Sequence, residues 1–235
     1  MDLKESDILG DNVKNHWYYR AKAGAMLFML KRFSFKKILD VGAGSGFFSK
    51  YLLSHTLAEM AYCVDTSYAQ YFEENEHGKK IEYHVSISNV EATLVLMMDV
   101  LEHVDDDIGL LKNYIEKVPS GSRFLITVPA FRFMWSGHDD FLGHRRRYTL
   151  RQLESVVRES GLSVENSCYF FSMIFPIAFI TRMLQKVKTV VAKSQLCSHH
   201  PFVNGILFCL CRLEIPFMTF NKLGGLSVFC LAKKE

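Results

Sequence analysis

The sequence has no dominant charge, no Cys-x-x-Cys pair, no basic-then-apolar leader, no internal repeat and no low-complexity tract. With 28 basic against 25 acidic residues the net charge is only +3, too small for bulk attraction to nucleic acid to be the main theme. The six cysteines, at 63, 168, 197, 209, 211 and 230, form no compact framework of the kind that staples small secreted domains, which points to a reducing cytosol. Residues 1–15 are polar and acidic, so an export signal is not expected. Hydrophobic residues make up 49% and charged residues 23%, which excludes general disorder. At about 150 residues per domain, 235 residues predict one domain, or one with an insertion.

Apolar positions Tyr18, Ala21, Ala25 and Phe28 advance by three and four, predicting an amphipathic helix over residues 15–32. Apolar runs at 36–41, 61–64, 81–85, 92–98, 123–128, 162–170 and 226–232 predict seven strands. Helical spacing resumes between them, from Phe48, from Ile108 behind Asp105 to Asp107, and from Thr149, whose Gln152 completes a capping box. Near-continuous apolar strands alternating with helices imply an α/β fold, a mainly parallel sheet with helices on both faces. Residues 172–223 then read as a helical insertion before the last strand.

Gly42, Gly44 and Gly46 follow the first strand and open a helix, so backbone can approach a ligand and N–H groups can point at its anionic end. A dinucleotide fingerprint would need glycine three positions after Gly44, where Phe47 stands, and no Gly-x-x-x-x-Gly-Lys loop occurs. Asp40, two positions before the first glycine, would repel a pure polyanion and suits a ligand that also carries a cation. The stretch Ile38-Leu-Asp-Val-Gly-Ala-Gly-Ser-Gly46 resembles motif I of the class I S-adenosylmethionine-dependent methyltransferases, which have a Rossmann-like sheet. The resemblance covers residues 15–161 and implies S-adenosylmethionine as cofactor, with Asp65, at the end of the second strand, on the ribose hydroxyls.

Met97-Met-Asp-Val-Leu-Glu-His-Val104 is similar to the segment after the fourth strand of small-molecule methyltransferases, including those of quinone biosynthesis. That resemblance implies Asp99 near the methionine end of the cofactor, with Leu101 lining the same region and residues 101–103 facing the methyl acceptor. The long loop 129–148 holds Trp135, His138, Asp139, Asp140, His144 and Arg145 to Arg147, and long ordered loops are disproportionately functional. With residues 16–20, it is similar to a bacterial group associated with surface polysaccharide and glycosyl transfer. Arg145 to Arg147 either hold a phosphate of the acceptor or form a basic surface patch. A hydroxyl acceptor also needs proton removal, for which His138, paired with Asp139 or Asp140, or else His103, is the candidate. No spacing is diagnostic of a metal, and none is assigned.

Residues 168–184 and 204–220 are strongly apolar, yet each falls short of the roughly 20 residues that span a bilayer. Lys186, Lys188 and Lys193 between them suit a hairpin resting on an anionic membrane surface; the alternative is a cap completing the core or a dimer interface. The expectation is a methyltransferase of a small-molecule or lipid-linked acceptor, a glycan among the candidates, acting on oxygen in the cytoplasm or peripherally at the inner face of a membrane. A quinone or phenolic O-methyltransferase, or a silent cofactor-binding module, stands as the alternative, and a nucleic-acid substrate is not expected.

Overall fold

The structure, a computed structural model, describes residues 10–186 and 200–235. Helix α1 spans Trp17–Leu30, behind a short 3-10 turn at Gly10–Asn15. Strand β1 (Lys37–Val41), helix α2 (Phe47–His55) and strand β2 (Met60–Val64) form the first parallel crossover. A hairpin of β3 (Phe72–Glu76) and β4 (Lys79–His84) follows, then β5 (Leu94–Met98), α3 (Asp107–Glu116) and β6 (Arg123–Pro129). Next come α4 (Gly137–Leu142), α5 (Leu150–Glu159) and β7 (Leu162–Phe170). Helices α6 (Phe175–Lys186) and α7 (Pro201–Glu214) precede the last strand, β8 (Ser227–Lys234).

One eight-stranded sheet runs β3-β4-β2-β1-β5-β6-β8-β7, parallel through β4 to β6, with β3 and β8 antiparallel to their neighbours. The expected sheet had seven strands. The eighth, β3, reads Phe-Glu-Glu-Asn-Glu and lies almost wholly exposed at the edge, so no apolar run announced it. Its charges suit an edge that must not recruit another chain. Glu73 pairs there with Lys80 of β4 at 2.8 Å.

Along β5, Leu94, Leu96 and Met98 pack on the side of α1 and α2, while Val95 and Met97 pack on the side of α3 and α5. A strand buried on both faces cannot alternate with polar residues, which is why this run is continuously apolar. Strand order reverses between β1 and β5, and open α/β sheets bind ligands at such a switch point, beyond the strands' carboxyl ends. The glycine turn after β1 and Asp99 after β5 therefore emerge side by side.

The described part of the insertion is helical. Residues 187–199, with Lys188, Lys193 and Cys197, lie outside the described residues. The other five cysteines are free thiols. Helix α7 continues through a 3-10 turn, so the helical run Pro201–Phe220 has 20 residues and is long and apolar enough to cross a membrane, longer than the sequence alone indicated. One side of it rests on α1: Asn204 accepts from the Trp17 backbone N–H (2.8 Å), and the Arg20 guanidinium lies 3.9 Å from the Phe208 ring centre. The other side carries the exposed Phe202, Ile206 and Leu213. Such a helix lies along the domain.

Candidate active site

The turn after β1 is left-handed at all three glycines, with φ of +65°, +53° and +70° at Gly42, Gly44 and Gly46. A Cβ on Gly42 would stand 2.7 Å from a Val100 methyl, and one on Gly46 would stand 2.6 Å from the Tyr83 hydroxyl. Glycine is thus required by conformation and by space. The N–H groups do not point outward as the sequence suggested. Gly42 and Ala43 donate to the Val64 carbonyl (2.7 and 3.2 Å), and Gly44 donates to Asp65 Oδ2 (2.9 Å). The turn is tied to the end of β2, and this tie sets Asp65 against it.

Beside the turn opens a cleft of about 320 Å³, walled by Val41, Gly42, Asp65, Ser67, Asp99 and Val100, among others. Asp65 is half-buried in this wall. Its Oδ1 accepts the Ser67 N–H (3.0 Å) and hydroxyl, while among the described residues Oδ2 accepts only Gly44, which leaves acceptor capacity on a carboxylate that offers about four lone-pair directions. A diol donor fits there, which is the fit a ribose requires. Asp40, in contrast, stands behind the turn. It is 1% exposed and accepts the Ser49 hydroxyl at 2.8 Å, so it supports the turn without lining the cleft. Burial, together with the nearby Asp65 charge, pushes its carboxyl up to about 6 against the pull of Ser49.

At the inner end of the cleft, Asp99 adopts a left-handed φ of +58°, a conformation Asp tolerates better than most side chains. Its Oδ1 accepts the Thr127 hydroxyl (3.0 Å), and its Oδ2 takes the fully buried Lys22 ammonium, with the Tyr18 hydroxyl 3.2 Å from Lys22. Burial is the largest influence on Lys22 and would lower its pKa, but the Asp99 charge, Tyr18 and their hydrogen bonds together outweigh it and the net shift is upward. Lys22 in turn holds Asp99 below the ordinary carboxylate range despite burial. A charged pair therefore sits where the cofactor cleft ends.

A second cavity, of about 230 Å³, begins at the same place, because Asp99 and His103 line both. Its other walls include Trp17 and Tyr18 of α1, Glu102, His138, His144, Arg147 and, from α6, Ala178 and Arg182. The loop expected at 129–148 is organised. A 3-10 turn at Arg132–Met134 leads into α4, whose capping box joins Ser136 and Asp139. Its base is closed by Phe131 N–H to Tyr148 O (2.9 Å) and Tyr148 N–H to Pro129 O (3.0 Å).

Several expected roles change. Asp139 is fully buried and accepts Ser136 N–H (2.8 Å), Arg147 Nε (2.6 Å) and a His144 ring nitrogen (2.8 Å), so it orients His144. His144 and Arg147 hold Asp139 well below the usual range even though burial opposes it, so it is no general base. Asp140 accepts the Trp135 indole N–H at 2.9 Å. Leu101 is fully buried in the core under α3 and α5 and lines no part of the cleft, because its tight turn sends successive side chains to different sides. Arg145 and Arg146 bind the 103–107 segment, with Arg145 Nε on the His103 carbonyl (2.9 Å) and Arg146 on Asp107 (3.1 Å), so they form neither a phosphate claw nor a loose patch. Only Arg147 of the three reaches the cavity.

Sequence reading missed Lys22, a lysine four residues after Tyr18 on an otherwise apolar stripe. It also missed Arg182, whose pKa falls to about 10 through burial and the nearby Arg147. Two buried polar groups of the second cavity lack a hydrogen-bond partner among the described residues: Trp17 Nε1 and both oxygens of Glu102.

Comparison with the curated proteins gives no match. Solved structures with the same fold include a chain of the Haloferax volcanii complex between the Trm112 methyltransferase activator and a methyltransferase (12% identity, 98% of this chain and 94% of that one, TM-score 0.58). Phosphoethanolamine N-methyltransferase 2 of Haemonchus contortus, solved with S-adenosyl-L-methionine, gives 15% identity over 99% of this chain and 56% of that one, TM-score 0.57. A SAM-dependent methyltransferase of Archaeoglobus fulgidus gives 16% identity over 99% and 98%, TM-score 0.52. The sequence profile of the methyltransferase domain matches residues 15–167, which contain β1 to β6 and the whole lining of the cleft beside the glycine turn, and the chain belongs to that family, the S-adenosylmethionine-dependent methyltransferases of class I.

Proposed function

We propose that this methyltransferase acts on an oxygen of a small-molecule or lipid-linked acceptor, with a glycan-bearing acceptor favoured. The observation that carries the reading is the common wall: Asp99 and His103 belong at once to the cofactor cleft and to the second cavity. A donor in one and an acceptor in the other would meet there.

The cofactor supplies an electrophilic methyl group on a sulfonium; displacement in line needs alignment and, for a hydroxyl, loss of a proton. Asp65 would grip the ribose, and the Lys22–Asp99 pair would fix the charge at the meeting point. His138 is the proposed base, since it lines the acceptor cavity and imidazole accepts protons near neutral pH. Arg147, paired with Asp139, and Arg182 bring guanidinium groups to the cavity wall, which supports an acceptor with a phosphate or another anionic group. A quinone or phenol would call for apolar walls, so that reading ranks second. An open acceptor cavity also weighs against a silent cofactor-binding module.

Helix α6 roofs the cavity with Ala178 and Arg182 while exposing Ile177, Ile180, Met183 and Leu184, and further exposed apolar side chains follow at Phe217, Phe220 and Leu223. This amount of apolar surface supports peripheral contact with the inner face of a membrane, from which a lipid-linked acceptor would enter. The test is mass-spectrometric detection of labelled methyl in glycolipid, quinol and RNA extracts. Label in glycolipid is expected; label confined to quinol favours the second reading, and label in RNA alone contradicts both. Replacing His138 with Ala should depress transfer more than cofactor binding, and equal loss of both would remove it from the base role.

A further inference from the structure

We infer that Glu102, His103 and His144 form a binding site for one divalent transition-metal ion of the zinc class, in the wall shared with the acceptor cavity. The inference deepens the methyl-transfer reading and rests on it. One ligand atom from each residue lies within 4.8 Å of the others. Ligands on one zinc ion at 2.0–2.1 Å stand about 3.4 Å apart at the tetrahedral angle, so small side-chain rotations close the set. The His103 and His144 rings already meet edge to face with centroids 4.8 Å apart.

Two independent features point to a ligand here. First, Glu102 is fully buried and lines the cavity, yet neither carboxylate oxygen has a hydrogen-bond partner among the described residues. A buried carboxylate is costly unless something compensates it, and Asp99 nearby adds repulsion that a dication would relieve. Second, His144 is oriented as metal ligands are. Its Nδ1 engages Asp139 Oδ1 at 2.8 Å, leaving Nε2 to coordinate, and Asp139 is itself fixed by Ser136 and Arg147. Carboxylate–histidine–metal relays of this kind set the ring and its tautomer in zinc sites.

Backbone geometry brings the distant segments together: Arg145 N–H donates to the Glu102 carbonyl at 2.7 Å, which lays His144 against Glu102 and His103. Two imidazoles and one carboxylate suit zinc, cobalt, manganese or iron in preference to magnesium or calcium. Three protein ligands leave a coordination position for a fourth group, on the side of the acceptor cavity that all three residues line. An ion there would make an acceptor hydroxyl more acidic, the assistance that transfer to oxygen requires.

The test is titration of the EDTA-treated full-length protein with Co²⁺, read by its visible d–d absorption and by Zn²⁺ competition. Thermal unfolding and calorimetry with S-adenosylmethionine are measured in parallel. One Co²⁺ per chain with a four- or five-coordinate spectrum is expected, with affinity reduced at least about tenfold in both Glu102→Gln and His144→Gln. S-adenosylmethionine should bind the two variants within about threefold of wild type, so failure of the metal site and failure of the methyltransferase reading register separately. Absence of Co²⁺ binding in wild type overturns the inference, as does Co²⁺ affinity equal to that of wild type in both variants. Should His144→Gln unfold, Glu102→Gln with His103→Asn carries the comparison, and undiminished Co²⁺ binding in both again overturns it.

Discussion

Replacing Asp40 with Asn should stabilise the cofactor-free protein at mildly alkaline pH. Asp40 is buried with its carboxyl at about 6, against an ordinary 3.8. At about 1.4 kcal/mol per pH unit, ionising it in the fold costs roughly 3 kcal/mol, part of which the Ser49 hydrogen bond to a neutral Asn returns less strongly. The net expectation is a gain of about 1–3 kcal/mol near pH 8, read as a higher urea midpoint. Linkage fixes the sign. A carboxyl whose folded pKa is raised opposes folding above that pKa, and the penalty fades as pH falls from about 6 towards 3.8. From about pH 8 to about pH 5, wild type should therefore gain roughly 1.4 kcal/mol from this residue, and Asp40→Asn should gain none from it. In calorimetry the variant should lose more affinity for S-adenosylmethionine than for S-adenosylhomocysteine, because only the former carries the sulfonium charge that the carboxylate attracts through the turn. Destabilisation by more than about 1 kcal/mol near pH 8, or parallel pH profiles for the two proteins, would refute the placement of Asp40 as a strained buried support.

Two further outcomes follow from the charge pair and the apolar helices. Lys22→Met leaves Asp99 without its buried cation, and because Asp99 keeps some exposure the loss should be about 2–3 kcal/mol in urea unfolding, partly recovered by adding Asp99→Asn. A loss under about 1 kcal/mol, or no recovery, would show that the pair does not hold this corner of the fold. Replacing Phe217, Phe220 and Leu223 together by Ser should cut co-sedimentation with phosphatidylglycerol-containing vesicles by about tenfold or more without lowering the thermal midpoint, given their exposure of 71%, 81% and 95%. Wild type that ignores the vesicles would contradict a membrane contact.

The sheet was legible because its central strands are buried on both faces, so that Leu94 to Met98 reads as an uninterrupted apolar run. The glycine turn was legible because conformation and crowding by Val100 and Tyr83 leave no substitute for Gly42 and Gly46. Strand β3 was not, since an exposed edge strand has no apolar face to declare it. Its one local sign was the His77-Gly78 turn, with φ of +53° and +79°, a two-residue hairpin geometry. Within the site, Asp65, Asp99, His103 and His138 line the two cavities, as positions at strand ends and in the long loop suggested. Partnerships were illegible. Asp139 beside His138 in sequence serves His144 in space, and Lys22 reaches Asp99 across a large sequence separation. Sequence proximity encodes neither helix rotation nor loop closure, and the Glu102–His103–His144 cluster exists only through that closure.

Calorimetric binding of S-adenosylmethionine to wild type and to Asp65→Ala tests the central claim most directly. Wild type should bind one molecule per chain, and loss of a charged hydrogen-bond acceptor worth roughly 1.5–3 kcal/mol should weaken Asp65→Ala about ten- to a hundredfold while circular dichroism stays native. Binding of equal strength in the two proteins, or none in wild type, would contradict a cofactor cleft held by the turn after β1 and by the carboxylate that ends β2.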